Sequence, residues 1–272
     1  MNLETLLISV TNGVAHIALN RPDKANALNA AMWKDLKSAF DWLSTSSARA
    51  CVLSAQGKHF TAGIDFELLI SAQSEIGNLP DELKQIRLKA FIADLQAAVS
   101  AAENCKIPVI AAIHGACIGA GVDLITACDM RYATQDARFS VKEVDVAIVA
   151  DLGTLQRLPK LIGNGLAREL AYTGREFSGD EALAMRLTNR SFADKDKLMQ
   201  FAFDLADSIA EKSPLTIRGI KDSLNYSREH TLEEGLEYVA GNNSINLFSA
   251  DFTEALAAAK QKRPAKFSDW VE

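Results

Sequence analysis

The chain has 272 residues, 48% of them apolar and 24% charged, with a net charge of −6. That length and balance give one large core with an appended part, and they exclude a disordered or fibrous chain. Lys and Arg are scattered rather than clustered, which argues against nucleic-acid and membrane-surface partners, and no window reaches the roughly 20 apolar residues of a membrane span.

The opening LLISVTNGVAHIALNRP alternates apolar and polar residues around Asn12-Gly13, which predicts a β-hairpin closed by a two-residue turn. Helical spacing follows at Leu28, Met32, Leu36, Phe40 and Leu43, then RACVLSAQG reads as a short buried strand. Residues 67–104 are polar and helical in period, and with Gly77 and Pro80 inside them they are expected to form a flap over a pocket. PVIAAIHG, a glycine-rich turn, the helix-like GVDLITACD and the strand-like MRYAT continue the alternation. Beyond about residue 160 helix signals take over. Ser178 with Glu181 and Thr231 with Glu234 fit capping boxes, and Ser213-Pro214 reads as an N-cap followed by proline at the first helical position. An α/β core over 1–195 and a helical region over 196–272 are the expected organisation.

Cys51, Cys105, Cys117 and Cys128 stand in apolar contexts without CxxC spacing and read as buried free thiols. His16, His59, His114 and His230 make no metal-binding pattern, so no metal is expected. The N-terminus has no basic leader and the C-terminus no peroxisomal tripeptide, from which a cytoplasmic location is expected.

Two glycine-containing turns carry possible chemistry. In IHGACIGAGVDL, Gly115, Gly119 and Gly121 keep the backbone bare where a strand gives way to a helix, so main-chain amides at a positive helix end are open to a ligand oxygen. The sequence GKHFTAGIDF offers a second such turn, and two amides aimed at one oxygen would make an oxyanion hole. The stretch FSVKEVDVAIVADLGTLQRL sets Glu143, Asp145 and Asp151 among Val, Ile, Ala and Leu, where a carboxylate without a partner is costly. Plainer readings exist for each acid: an N-cap for Asp151, a surface pair with Lys142 for Glu143, a cap of its own helix for Asp123, and an exposed or salt-bridged position for Asp145.

Four stretches, NRPDKANALN, GKHFTAGIDF, PVIAAIHGACIGAGVDL and the passage from Asp129 to Leu158, resemble the crotonase, or enoyl-CoA hydratase/isomerase, superfamily in order and spacing. Asp123, Glu143 and Asp151 together resemble the acid set of the Δ3,5-Δ2,4-dienoyl-CoA isomerases. The resemblance implies an α/β spiral of repeated ββα units with a C-terminal helical oligomerisation region, assembling as a homotrimer or a hexamer. It implies an acyl-CoA thioester substrate with no cofactor beyond the CoA of the substrate, an oxyanion hole from the amides of Ala62 and Ala120, and Glu143 and Asp151 exchanging protons at C2 and C6 with Asp123 between them. CoA would lie near Lys24, Ala25 and Ala27, the Ala62-Gly63-Ile64-Asp65-Phe66 turn, and Gly119, Ala120 and Gly121. A 2-enoyl-CoA hydratase is the second reading and a non-catalytic RNA-binding or scaffold relative the third.

Overall fold

The computed structural model describes residues 3 to 269; the C-terminal tripeptide on which part of the compartment expectation rested lies outside them. Strands β1 (Leu6–Thr11) and β2 (Val14–Leu19) pair antiparallel, and Asn12 and Gly13 between them have φ of 51° and 81°, as the hairpin prediction requires. Helix α1 (Ala30–Leu43) starts one residue after the Asn29 cap, whose side chain accepts from the Met32 N–H at 2.9 Å, so Leu28 precedes the helix. Strand β3 (Ala50–Ala55) follows. Residues 66–104 form α2 (Phe66–Gly77) and α3 (Asp81–Asn104). The segment expected to be a flap is thus partly built into the core, because Leu95, Ala98, Val99, Ala101 and Ala102 of α3 are buried.

Each further turn of the chain gives one strand to a large sheet and one to a small sheet. Strand β4 (Val109–Ile113) joins the first, β5 (Ala116–Ile118) the second, and α4 (Ala120–Thr126) follows. Strands β6 (Met130–Thr134) and β7 (Arg138–Ser140) repeat the pattern before α5 (Thr154–Ile162) and α6 (Asn164–Thr173). Strand β8 (Phe177–Ser178), α7 (Gly179–Ala184) and β9 (Arg190–Phe192) complete the sheets, whose orders are β1-β2-β3-β4-β6-β9 and β5-β7-β8. Thr61 extends the small sheet by bridging Cys117 in parallel. These are the turns of a ββα spiral. The strand signal past residue 160 is missing from the sequence because β8 and β9 are only two and three residues long, too short for periodicity to register.

The central strands of the large sheet are buried on both faces. Ile17, Leu53, Ala111 and Ile113 pack with Met32, Leu36, Phe40 and Val99 on one side, while Val14, Val52, Ile110 and Ala112 face α8 (Lys195–Ala210) on the other. Leu198, Ala202, Ala206 and Ala210 form the small-residue face that lets α8 lie close. The expected division at 195 therefore falls at the start of a helix that covers the sheet. The helices that leave the core are α9 (Pro214–Ser227), α10 (Leu232–Asn246) and α11 (Ala250–Gln261). Lys221 ties α9 down, donating to Asp129 Oδ2 at 2.8 Å and to the carbonyls of Ile107 and Ala102 at 3.0 and 3.2 Å. All four cysteines are buried and free.

Candidate active site

The turn after β3 is knotted to the segment before α1 by Asn26. This buried side chain accepts from the Arg21 N–H at 2.7 Å and donates to the carbonyls of Gln56 and His59, each at 2.8 Å, while its own carbonyl accepts from Thr61 Oγ1 at 2.7 Å. Sequence reasoning passed over Asn26. Its only mark in the sequence is being Asn, which tolerates better than other non-glycine residues the left-handed backbone found here, φ 53°.

That knot decides which amide of the turn is free. The Ala62 N–H donates to Ala25 O at 2.9 Å, the Gly63 N–H to Thr61 Oγ1 at 3.1 Å and the Asp65 N–H to Leu28 O at 3.1 Å. Among the described residues the Ile64 N–H has no acceptor. The expectation for Ala62 is therefore corrected: its donor is spent inside the fold, and the open amide lies two residues on. At the second turn Gly119 takes φ 52° and ψ −119°, its N–H donates to Ser140 O at 2.8 Å, and the N–H of Ala120 opens α4 without an acceptor among the described residues. The two turns touch, since a Cβ on Gly63 would lie 2.8 Å from Ile118 O and 3.7 Å from Ala120 N. Ile64 and Ala120 thus present amides on neighbouring turns.

The carboxyls converge on the same place. Glu143 begins a 3-10 turn over Glu143–Val146, and a Cβ on Gly119 would stand 3.3 Å from its Oε1. Asp123, on the first turn of α4 and 1% exposed, accepts from the Thr154 N–H at 2.6 Å. It therefore holds the start of α5, not its own helix. The Lys142 ammonium pairs with Asp145 at 2.6 Å, which leaves Glu143 outside any surface pair and gives Asp145 its salt bridge. Asp123 Oδ2 and Glu143 Oε2 are buried, with no hydrogen-bond partner among the described residues.

Burial is the main reason the Asp123 carboxyl is pushed up to about 6, with the charge of Asp151 adding to it. Burial likewise pushes Glu143 up to about 7, and the charges of Asp123 and Asp151 add to that shift. Asp151 is open to solvent in the single chain, and the partial burial its carboxyl has raises its pKa too. The three acids lie within one another's fields. The apolar residues expected to enclose them do not do so: Val144, Val146, Ile148 and Val149 are 42–70% exposed, and the desolvation of Glu143 comes from its place against the Gly119 turn.

The other candidate contacts separate. Lys24 and Phe66 are exposed, Gly63, Gly119 and Ala120 line the junction of the two turns, and Asp65 is held by Arg21 at 3.0 Å while capping α2. Ala25 and Ala27 give their carbonyls to Ala62 and to Arg21. Gly121 is a packing glycine: a Cβ there would fall 2.5 Å from Thr61 Cγ2, so it serves the contact between turns and not a ligand. Among the described residues no group of His, Cys, Asp or Glu is arranged to hold a metal ion, and no helix is long and apolar enough to cross a membrane.

The model of the enoyl-CoA hydratase/isomerase family matches residues 9–270. The chain belongs to this family. It is 47% identical over 271 residues to the mitochondrial Δ(3,5)-Δ(2,4)-dienoyl-CoA isomerase of Rattus norvegicus, covering 97% of this chain and 82% of that one. It is 46% identical to the peroxisomal enzyme of the same name from Arabidopsis thaliana, over 98% and 96% of the two chains. Among solved structures, a putative enoyl-CoA hydratase from Streptomyces coelicolor superposes with a TM-score of 0.89 at 30% identity, over 98% and 95% of the chains. The spiral fold of the family is the one described above.

The cytoplasmic expectation is overturned by these relatives, named for the mitochondrion and the peroxisome. Its error is physical: an organelle address is read by a receptor and is separable from the catalytic fold, so a fold shared between two organelles carries no address.

Proposed function

We propose that this chain isomerises 3,5-dienoyl-CoA to 2,4-dienoyl-CoA by moving one proton from C2 to C6. The observation that carries the reading is the pair of buried, unpartnered carboxylate oxygens on Asp123 and Glu143, set against two adjacent turns with open amides and in the field of a third acid. A fold keeps such groups at a stability cost only where they have a task.

In this reading the thioester oxygen sits between the N–H groups of Ile64 and Ala120. Glu143 takes the C2 proton, and the electrons move into a trienolate whose charge gathers on that oxygen. Asp151, protonated at the outset, gives its proton at C6, the double bonds come to rest at C2 and C4, and the proton now on Glu143 leaves to solvent while the exposed Asp151 takes one up, which resets the pair. Each oxyanion donor of this kind contributes roughly 10² to 10³ in rate, and each positioned acid or base roughly 10² to 10⁴. A Glu near 7 is suited to both halves of the cycle, because it ionises easily and is basic enough to take a carbon-bound proton. Burial keeps the pKa of Glu143 high, the charge of Asp123 adds to that, and Asp123 also fixes the start of α5. The reaction is proton transfer throughout, and carboxyls and amides of the chain supply its chemistry. A cleft of about 570 Å³ beside the 62–66 turn, lined by Arg21, Asp65, Leu68, Arg87 and Phe91 among others, has room for the CoA arm or the acyl tail. The apolar faces of α9 to α11 form the subunit contacts of a trimer.

The test is turnover of 3,5-octadienoyl-CoA followed by the absorbance of the conjugated product. Asp151→Asn and Glu143→Gln are each expected to lower kcat at least about 10²-fold. Wild-type turnover in both variants would refute the mechanism, and water addition to crotonyl-CoA as the faster reaction would favour a hydratase.

A further inference from the structure

We infer that Arg157 is a positioning residue for the carboxyl of Asp151, an inference that rests on the proton-delivering role given to Asp151 above. Asp151 belongs to no helix or strand and is exposed in the single chain, so neither a backbone ladder nor tight packing fixes where its acid points. Three contacts do. The amide of Gln96 donates to Asp151 O at 2.6 Å, Asp123 accepts from the Thr154 N–H at 2.6 Å, and Arg157 Nη1 donates to Leu152 O at 3.4 Å.

The last of these is built for the purpose. Gly153 has φ +124°, and a Cβ there would lie 1.8 Å from Arg157 Nη1, so the guanidinium lies directly against the loop backbone where only glycine admits it. The other side of the fork is anchored on α3. Its Nη2 donates to Glu103 Oε2 at 2.8 Å and to Ser100 Oγ at 3.0 Å, and its Nε donates to Glu103 Oε2 at 3.2 Å. Gln96, Ser100 and Glu103 recur at helical spacing and share one face of α3. Burial alone would raise the Glu103 carboxyl, but Arg157 and the nearby Arg228 hold it ionised, so the anchor keeps its charge. These groups and Asp151 itself line a cleft of about 410 Å³. A rigid helix therefore places the exposed end of the proton path through a planar fork, a task for which a lysine ammonium lacks the geometry.

The full-length protein carrying Arg157→Gln, Arg157→Lys or Gln96→Leu is compared with wild type on 3,5-octadienoyl-CoA and on the same substrate deuterated at C2. Loss of C2 label to water needs Glu143 but not Asp151, so it separates a displaced acid from a damaged site. Both Arg157 variants are expected to lower kcat about 10- to 100-fold, with KM within about threefold and label loss retained; Gln96→Leu moves kcat the same way by about 3- to 10-fold. On an Asp151→Asn background Arg157→Gln is expected to add less than about twofold. Near-wild-type turnover in Arg157→Lys would mean that charge alone matters and would overturn the inference. So would label loss falling in step with isomerisation. If Arg157→Gln does not fold, an unchanged kcat in Gln96→Leu overturns it equally. Unimpaired turnover in Asp151→Asn would instead sink the underlying role of Asp151, a result distinct from any of these.

Discussion

At Asp123 function and stability oppose each other. Folding raises this carboxyl from 3.8 to about 6, so the native state binds its proton more tightly than the unfolded chain does. The stability conferred by that proton is complete below about pH 4 and is lost as pH rises through about 6, and Glu143, raised from 4.5 to about 7, adds a second loss just above. An amide at 123 keeps an oxygen for the Thr154 N–H and never ionises. Asp123→Asn is therefore expected to exceed wild type in stability by about 1 to 3 kcal/mol at pH 8 and to match it near pH 4, measured by urea denaturation at the two pH values. The same substitution removes a charge that helps hold the Glu143 pKa up, so the rising limb of kcat/KM against pH moves to lower pH. A variant less stable than wild type at pH 8 contradicts this account of Asp123.

The two turns are where elements become a site, and they divide what the sequence discloses from what it hides. Asn12-Gly13, the apolar run of β4 and the glycines before α4 announce themselves locally, because a two-residue turn, a doubly buried strand and a bare backbone each have a short-range composition. The free amide does not. Whether residue 62 or residue 64 offers its N–H depends on Ala25 O, a partner 37 positions away brought there by the Asn26 knot. Asp123, Glu143 and Asp151 stand out in the sequence through family spacing, whereas Gln96, Glu103 and Arg157 read as ordinary polar positions on helices and gain meaning only when α3 and α5 are side by side. The element-level test removes one donor where proline is sterically suited. Ala120 is the first residue of α4, so Ala120→Pro deletes an N–H that the helix does not use. The expected result is a loss of about 10² to 10³ in kcat with Tm lowered only slightly. Full activity would move the oxyanion hole away from this turn.

At the scale of the whole molecule, the single chain leaves several apolar regions uncovered, among them Phe66, Ile70 and Ile86 on α2 and α3 and the two considered next. One is the helical tail, where Leu232, Leu236, Ile245 and Phe248 are 59–92% exposed; the other is the 144–149 segment between Glu143 and Asp151, with Val149 70% exposed. Patches of this kind on a chain otherwise well packed mark surfaces that something covers. The tail is joined to the active-site side of the core, because Arg228 at the end of α9 pairs with the same Glu103 that anchors Arg157, and Lys160 of α5 pairs with Glu229 at 2.5 Å. A trimer closed through α9 to α11 would bury the exposed leucines and, through Glu103, stiffen the support of the Asp151 loop. Light scattering of the eluted protein is expected to give a multiple of three chains of 29.5 kDa each. Leu236→Glu, which sets a charge on the exposed face of α10, is expected to lower that mass and with it kcat, since the loop loses part of its backing. A wild-type monomer with full turnover would show that the tail's apolar faces serve a different contact, and a dissociated variant with full turnover that Glu103 supports the loop without help from assembly.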